Sequence, residues 1–401
     1  MKSILYIIFL ILILCTEFIT NYGAVDKIGP QWLYLSIINI IIITYNLFKN
    51  KTGFSDLVFK SKISKAYLLF ILFCLISIFF AVNQIESLNY FSRILLIFIT
   101  YLNLQWCIKF TSENQILWIL TIIFFIEGLT IFNQFTDLFE FGVDFGRNPK
   151  LIGVASNINI AGFSIALLLP YALLMQKKLD RFKKIFLSCL ISLSIFSGFL
   201  TGSRGTILSI TIIYIVFLIK EMFTKNDIKN KIKQSLYLII PFLFSIIISE
   251  ILFDSMRYSY RMNQIIERGS SSRIDYYSDA LNSFKEKPLT GIGIGNWKLN
   301  SIEKGKRHIE GYIVPYHSHN DFIQLLAETG ILGLFFYFMI FILSLYKPIR
   351  KLSILKEPIL FSCFCFMLIY FLDANLNFPI ARPIMQTKLA LVLAILTKYD
   401  K

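Results

Sequence analysis

Charge is what this sequence lacks most. Only 16% of its 401 residues are Asp, Glu, Lys or Arg, where soluble domains carry about 25%. With 56% hydrophobic residues and a mean hydropathy of +0.66, a soluble globular chain is excluded. Cysteine is scarce and unpatterned. Cys15, Cys74, Cys107, Cys189, Cys363 and Cys365 all lie in or beside apolar runs, which argues against a disulfide framework or a thiolate metal site and suits small core residues. The apolar runs lack the alternation of barrel strands, so helices remain as the way to satisfy the backbone in lipid. A separate basic domain is also missing. The net charge of +15 therefore does not point to nucleic acid. No small-residue cleavage pattern follows the first apolar run, and Leu12-Ile13-Leu14-Cys15 lacks the small residues expected before a lipid-modified cysteine. Residues 3–20 are read as a retained first membrane helix.

What is present is a series of long apolar runs, at about 3–20, 30–48, 64–82, 88–108, 114–135, 158–176, 185–201, 205–222, 235–253, 320–346, 358–373 and 383–397. These predict an all-α polytopic membrane protein of about twelve helices, with residues 1–401 as one integral membrane domain. Basic residues crowd the even-numbered connections: Lys49, Lys51, Lys60, Lys62 and Lys65; Lys177, Lys178, Arg181, Lys183 and Lys184; Lys220, Lys225, Lys229, Lys231 and Lys233; Lys347, Arg350, Lys351 and Lys356. The positive-inside rule then places both termini and these loops in the cytoplasm. The longest connection, 254–319, faces outward. Its length marks it as functional, and Ile274, Tyr277, Leu281 and Phe284 predict a helix from Arg273 to Phe284, ended by Lys287-Pro288.

Titratable residues gather where that connection meets the next apolar run. All three histidines, His308, His317 and His319, lie here, followed by Asp321 and Glu328. Such groups at the mouth of a hydrophobic helix are costly and suggest function. His317-x-His319 with Asp321 fits three readings: a zinc site, a polar cluster in which Asn320 or Asp321 caps the helix, or an acid–base or aligning role for His319. Asp321, Gln324 and Glu328 share one helical face, and Gly330 and Gly333 allow a neighbouring helix to approach. Thr201-Gly-Ser-Arg-Gly205 forms a very short outward connection. Arg204 there is either a lipid-phosphate ligand or a snorkelling anchor. Gly291-Ile-Gly-Ile-Gly295 is read as a structural turn or glycan contact, with a phosphate cradle as the alternative.

Ser203-Arg204-Gly205 opening a helix, Arg273 followed by Pro288-Leu-Thr-Gly-Ile-Gly-Ile-Gly-Asn296, and His319-Asn320-Asp321 followed by Glu328-Thr-Gly-Ile-Leu-Gly333 together resemble the O-antigen ligase family. The resemblance covers about residues 150–345, with Gly153-Val-Ala-Ser-Asn-Ile-Asn159 a weaker match. It implies a GT-C-like glycosyltransferase of the bacterial inner membrane, with its active site on the periplasmic side. The implied donor is a glycan on undecaprenyl diphosphate, and the implied acceptor a lipid or glycan hydroxyl, for example on lipid A core. Membrane lipids are its surroundings, and neither metal nor other cofactor is implied. By the same resemblance Arg204 and Arg273 hold the diphosphate and His319 is the catalytic candidate, supported by Ser203, Asn159, Asn320, Asp321 and Glu328. Related family members polymerise lipid-linked repeats or glycosylate proteins. The latter often have a larger C-terminal part than the few residues after the last helix here. A transporter is the reading from a different class, opposed by polar residues clustering at one surface and by the want of internal repeats.

Overall fold

The structure is a computed structural model that describes residues 2–20, 22–49, 54–59, 61–140, 151–223, 227–252, 271–305, 315–351 and 353–400. Its helices, in chain order, are α1 (Lys2–Leu14), α2 (Gly29–Lys49), α3 (Phe54–Phe59), α4 (Lys62–Ile78), α5 (Gln84–Phe110), α6 (Glu113–Glu140), α7 (Ile158–Lys177), α8 (Arg181–Leu200), α9 (Arg204–Met222), α10 (Ile228–Leu252), α11 (Ser271–Glu286), α12 (Trp297–Gly305), α13 (Asp321–Arg350), α14 (Ser353–Lys356), α15 (Pro358–Leu376) and α16 (Pro383–Lys398). No strand occurs among the described residues. Every apolar run of the sequence coincides with a helix. Nine helices among the described residues are long and apolar enough to cross a membrane: α2, α5 to α10, α13 and α15. The runs at α1, α4 and α16 form helices of 13, 17 and 16 residues. The chain is an all-α polytopic membrane protein.

The chain forms two compact units. One comprises Met1–Thr111, Gly269–Lys351 and Ala374–Lys401; the other comprises Ser112–Arg268 and Leu352–Asp373. In the first, α13 lies along α4, α16 along α5, and α11 against α13. Helix starts are fixed by side chains that take the amides a helix leaves unpaired: Ser61 at α4, Asn83 at α5 and Asn320 at α13. Helix α16 is buried from Pro383 to Thr397, Lys388 included, whose ammonium meets the Glu17 carboxylate at 2.6 Å. In the second unit α7 is the central helix, buried from Ile160 to Gln176 and packed by α6, α8 and α9. Pro241 inside α10 cannot donate to the Tyr237 carbonyl one turn back. The Gln176 side chain supplies the missing donor at 3.2 Å, which meets the requirement that no backbone group go unpaired in lipid.

Helix α13 is broken near its start, and the break positions the site. Gly330 has φ +69° and ψ −172°. The carbonyls of Ala327 and Glu328 instead accept the N–H groups of Ile292 (3.0 Å) and Gly293 (2.9 Å), while Ile331 N–H reaches the Pro288 carbonyl at 2.9 Å. A methyl group on Gly330 would overlap the Leu289 carbonyl. The element that approaches Gly330 is therefore the 288–295 turn, not a neighbouring helix. At Gly333 an added methyl would meet Thr329 of the same helix.

Candidate active site

The glycine turn after α11 is structural. Gly291, Gly293 and Gly295 all have positive φ (67°, 98° and 77°), a region open mainly to glycine. The turn's amides are committed within the protein: Gly291 to the Lys287 carbonyl, Ile292 and Gly293 to α13, and Ile294 to the Ser77 hydroxyl at 3.1 Å. A phosphate cradle needs those amides free, so that reading falls away. Glu328 completes the anchor. Its Oε1 accepts the Trp297 N–H at 3.1 Å and the Gln324 amide at 3.2 Å, so this carboxylate ties the start of α12 to α13.

The residues before α13 form a locked mouth. Asn320 caps the helix, its Oδ1 accepting from Phe322 (3.0 Å) and Ile323 (3.1 Å). The Gln324 carbonyl oxygen accepts the Ser318 N–H at 3.1 Å, and the Ser318 hydroxyl donates to the Asn320 carbonyl at 2.9 Å. Between these two fixed residues His319 takes φ +61°. A non-glycine residue held in that region stores strain, a state found at functional sites where the surroundings over-determine it. The Tyr277 hydroxyl donates to the His319 carbonyl at 3.4 Å. Tyr277 lies one turn along α11 from Arg273, whose charge acts on His319. Burial, and then that arginine, push the His319 imidazole down to about 4, so it is neutral at pH 7.

His317 is held by an aromatic contact and by burial. Its ring stacks on Phe378 at 4.2 Å and 13°, while His319 meets the same phenyl edge-on at 5.3 Å and 70°. Burial, then Arg382, His319 and Lys298, push His317 down to about 3. The Nδ1 atoms of both histidines are buried with no hydrogen-bond partner among the described residues. Asp321 Oδ2 accepts the Ile380 N–H at 2.9 Å, which fastens the Phe378 segment to the start of α13. Sequence reasoning missed Phe378 and Arg382, and read Tyr277 only as one of the spaced residues that mark a helix. The only signal for Arg382 was a lone basic residue in the short connection between the last two apolar runs. His308 lies outside the described residues.

The first unit thus brings together Arg273, His319, Asn320, Asp321 and Glu328. Ser203, Arg204 and Asn159 belong to the second unit. There Thr206, early in α9, packs on Gly162, early in α7, which sets the starts of the two helices side by side. Ser203 is buried and Arg204 is exposed, with no ion pair among the described residues. Asn159 opens α7, its N–H taken by the Asn157 cap at 3.0 Å.

Residues 187–338 match the model of a family described as O-antigen ligase. That stretch is similar to an O-antigen ligase domain. The matched stretch includes Ser203-Arg204-Gly205, Arg273, the glycine turn and His319 through Gly333; Asn159 lies before it. Over 322 residues the chain is 26% identical to a candidate polysaccharide ligase of Rickettsia felis, covering 75% of this chain and 72% of that one. A similarly described protein of Rickettsia typhi is 27% identical over 335 residues, 78% of this chain and 75% of its own. The ComP-specific O-oligosaccharyltransferase of Acinetobacter baylyi is 24% identical over 282 residues, 67% of this chain and 48% of that protein.

Proposed function

We propose that this protein transfers a glycan from undecaprenyl diphosphate to an acceptor hydroxyl, on lipid A core or a similar lipid, at the periplasmic face of the bacterial inner membrane. The observation that carries the reading is His319: a neutral imidazole with a buried, unpartnered Nδ1, strained at a helix mouth, beside Arg273. The acceptor oxygen attacks the anomeric carbon, and the bond from that carbon to the diphosphate oxygen breaks. The hydroxyl proton passes to His319. The negative charge left on the lipid diphosphate is stabilised by the Arg273 guanidinium as it develops. The anionic donor also raises the imidazole's proton affinity against the pull of Arg273, so His319 becomes a better base once the donor is bound. The names of the relatives, ligase and oligosaccharyltransferase, favour transfer to an acceptor over polymerisation.

The test is transfer by the purified protein in proteoliposomes, given a lipid-diphosphate-linked glycan and an acceptor lipid, with the product resolved on a gel. Wild type should form glycosylated acceptor, and His319→Ala should not. Product that vanishes with a chelator, or chain extension of the donor in place of acceptor glycosylation, would overturn this reading. Orientation is tested apart from chemistry: reporters fused after Lys401 and near Glu303 should sit in the cytoplasm and periplasm respectively, as the basic loops require.

A further inference from the structure

Arg382 is a half-buried cation with no ion-pair partner among the described residues. It directly precedes α16, and the segment before it is rigid. Asp321 holds the Ile380 N–H, Gln386 donates to the Pro379 carbonyl at 3.2 Å, and Pro379, Ile380 and Ala381 are buried. The guanidinium lies over the Phe378 ring, 4.9 Å from its centroid, the same ring that carries His317 and His319. Its Nε is buried with no hydrogen-bond partner, and no carboxylate pairs with it among the described residues. The carboxylate whose charge acts on it is Asp26, but Asp26 is bonded to Arg93 at 2.9 Å. Lys298, the other cation near His317, has its own partner in Glu86 at 2.5 Å.

Such an arrangement is costly in an empty site. A guanidinium does not lose its charge, and a charge withdrawn from water needs a partner. The aromatic face offsets part of that cost but supplies no acceptor for the N–H groups. The two histidines do not repel a ligand, since both are neutral at pH 7. What fits is a group with negative charge and several acceptor oxygens, which the guanidinium fork binds in a bidentate way. We propose that Arg382 binds a phosphate group of a lipid substrate, and so serves as a further phosphate-binding arginine beside His317 and His319. This rests on the reading that the substrate is a phosphorylated lipid. The phosphate belongs either to the donor diphosphate or to a lipid headgroup on the acceptor side.

The experiment measures binding to the full-length protein in detergent micelles, wild type against Arg382→Gln and Arg382→Lys. The probes are geranylgeranyl diphosphate, geranylgeraniol as its uncharged control, and phosphatidic acid. Arg382→Gln should weaken binding of a phosphate-bearing probe by about 10- to 100-fold and leave geranylgeraniol unchanged. Loss confined to the diphosphate assigns the donor; loss confined to phosphatidic acid assigns a headgroup. Arg382→Lys keeps the charge but not the fork, so it should show a smaller loss of the same probe. If the glutamine variant fails to fold, the lysine variant alone decides. Wild-type affinity for both phosphate probes in the folded variants overturns the proposal. A wild-type protein that does not prefer the diphosphate to geranylgeraniol sinks the lipid-diphosphate reading instead, whereas a preference that survives Arg382→Gln sinks only the role of Arg382.

Discussion

The Asp321 carboxylate accepts the Ile380 backbone N–H at 2.9 Å. This bond joins the helix mouth that holds His319 to the segment that carries Phe378 and Arg382, although the two are almost sixty residues apart in the chain. Asp321 is fully buried, so water cannot replace it. Asp321→Ala should destabilise the protein by about 1–3 kcal/mol, the cost of a buried donor left unpaired. Asp321→Asn retains an acceptor oxygen and should lose less. Thermal unfolding of both variants in detergent checks this, and equal midpoints for alanine and wild type would refute it.

The pH dependence follows from His319 and His317. Each binds its proton more weakly folded than unfolded: about 4 and about 3, against about 6.5 in an open chain. Between those values the unfolded state holds more protons, so stability rises with pH in that window and is lost as pH falls from 6.5 towards 4. The histidine contribution is fully present above 6.5. Activity that needs neutral His319 should fall on an acid limb near 4 in the enzyme without donor, not near 6.5. His319→Ala should lower transfer by about 10²–10⁴-fold. His317→Ala removes an aromatic stack worth about 0.5–1.5 kcal/mol and should reduce stability together with a smaller part of the activity. A pH–rate profile of kcat/KM, measured from pH 3.5 to 8, distinguishes the limbs.

Gly330 is predicted to tolerate no side chain. Its φ of +69° strains any other residue, at a cost of about 1–3 kcal/mol, and the Leu289 carbonyl occupies the space a methyl would need. Gly330→Ala should therefore lower the unfolding temperature and free the 288–295 turn, visible as faster amide exchange at Ile292 and Gly293. Unchanged exchange there would show that the turn is held by other contacts.

The helices were legible because apolar length is a local property, and each run of the sequence became one. The Asn320 cap and the helix after Arg273 were legible for the same reason, since their signals lie within a few residues of one another. The break at Gly330 was not, because it depends on Ile292 and Gly293 reaching Ala327 and Glu328, partners more than thirty residues away. The aromatic platform was hidden too. Phe378 sits in a chain with 40 phenylalanines, and nothing local separates it from the others until His317 stacks on it. Arg382 stayed inconspicuous because one arginine before an apolar run also fits simple interfacial anchoring.

Arg204 offers the sharpest test of the diphosphate-binding role that the family resemblance implies. It opens α9, exposed, beside the buried Ser203 and with Gly202 at φ +63° turning the chain into the helix. An anchor needs only a positive charge, which lysine supplies equally well. A diphosphate ligand needs the planar fork, because two parallel N–H bonds fix the phosphate's position as well as its charge. Arg204→Lys should then raise the apparent KM for the lipid-linked donor and lower kcat/KM by about tenfold or more, with expression and unfolding temperature unaltered. Arg273→Lys should behave likewise, and should also move the acid limb of His319, because the charge is carried on a different stem. If Arg204→Lys turns over donor as wild type does, the arginine is an interfacial anchor, and donor binding must rest on Arg273 and its neighbours at the α13 mouth.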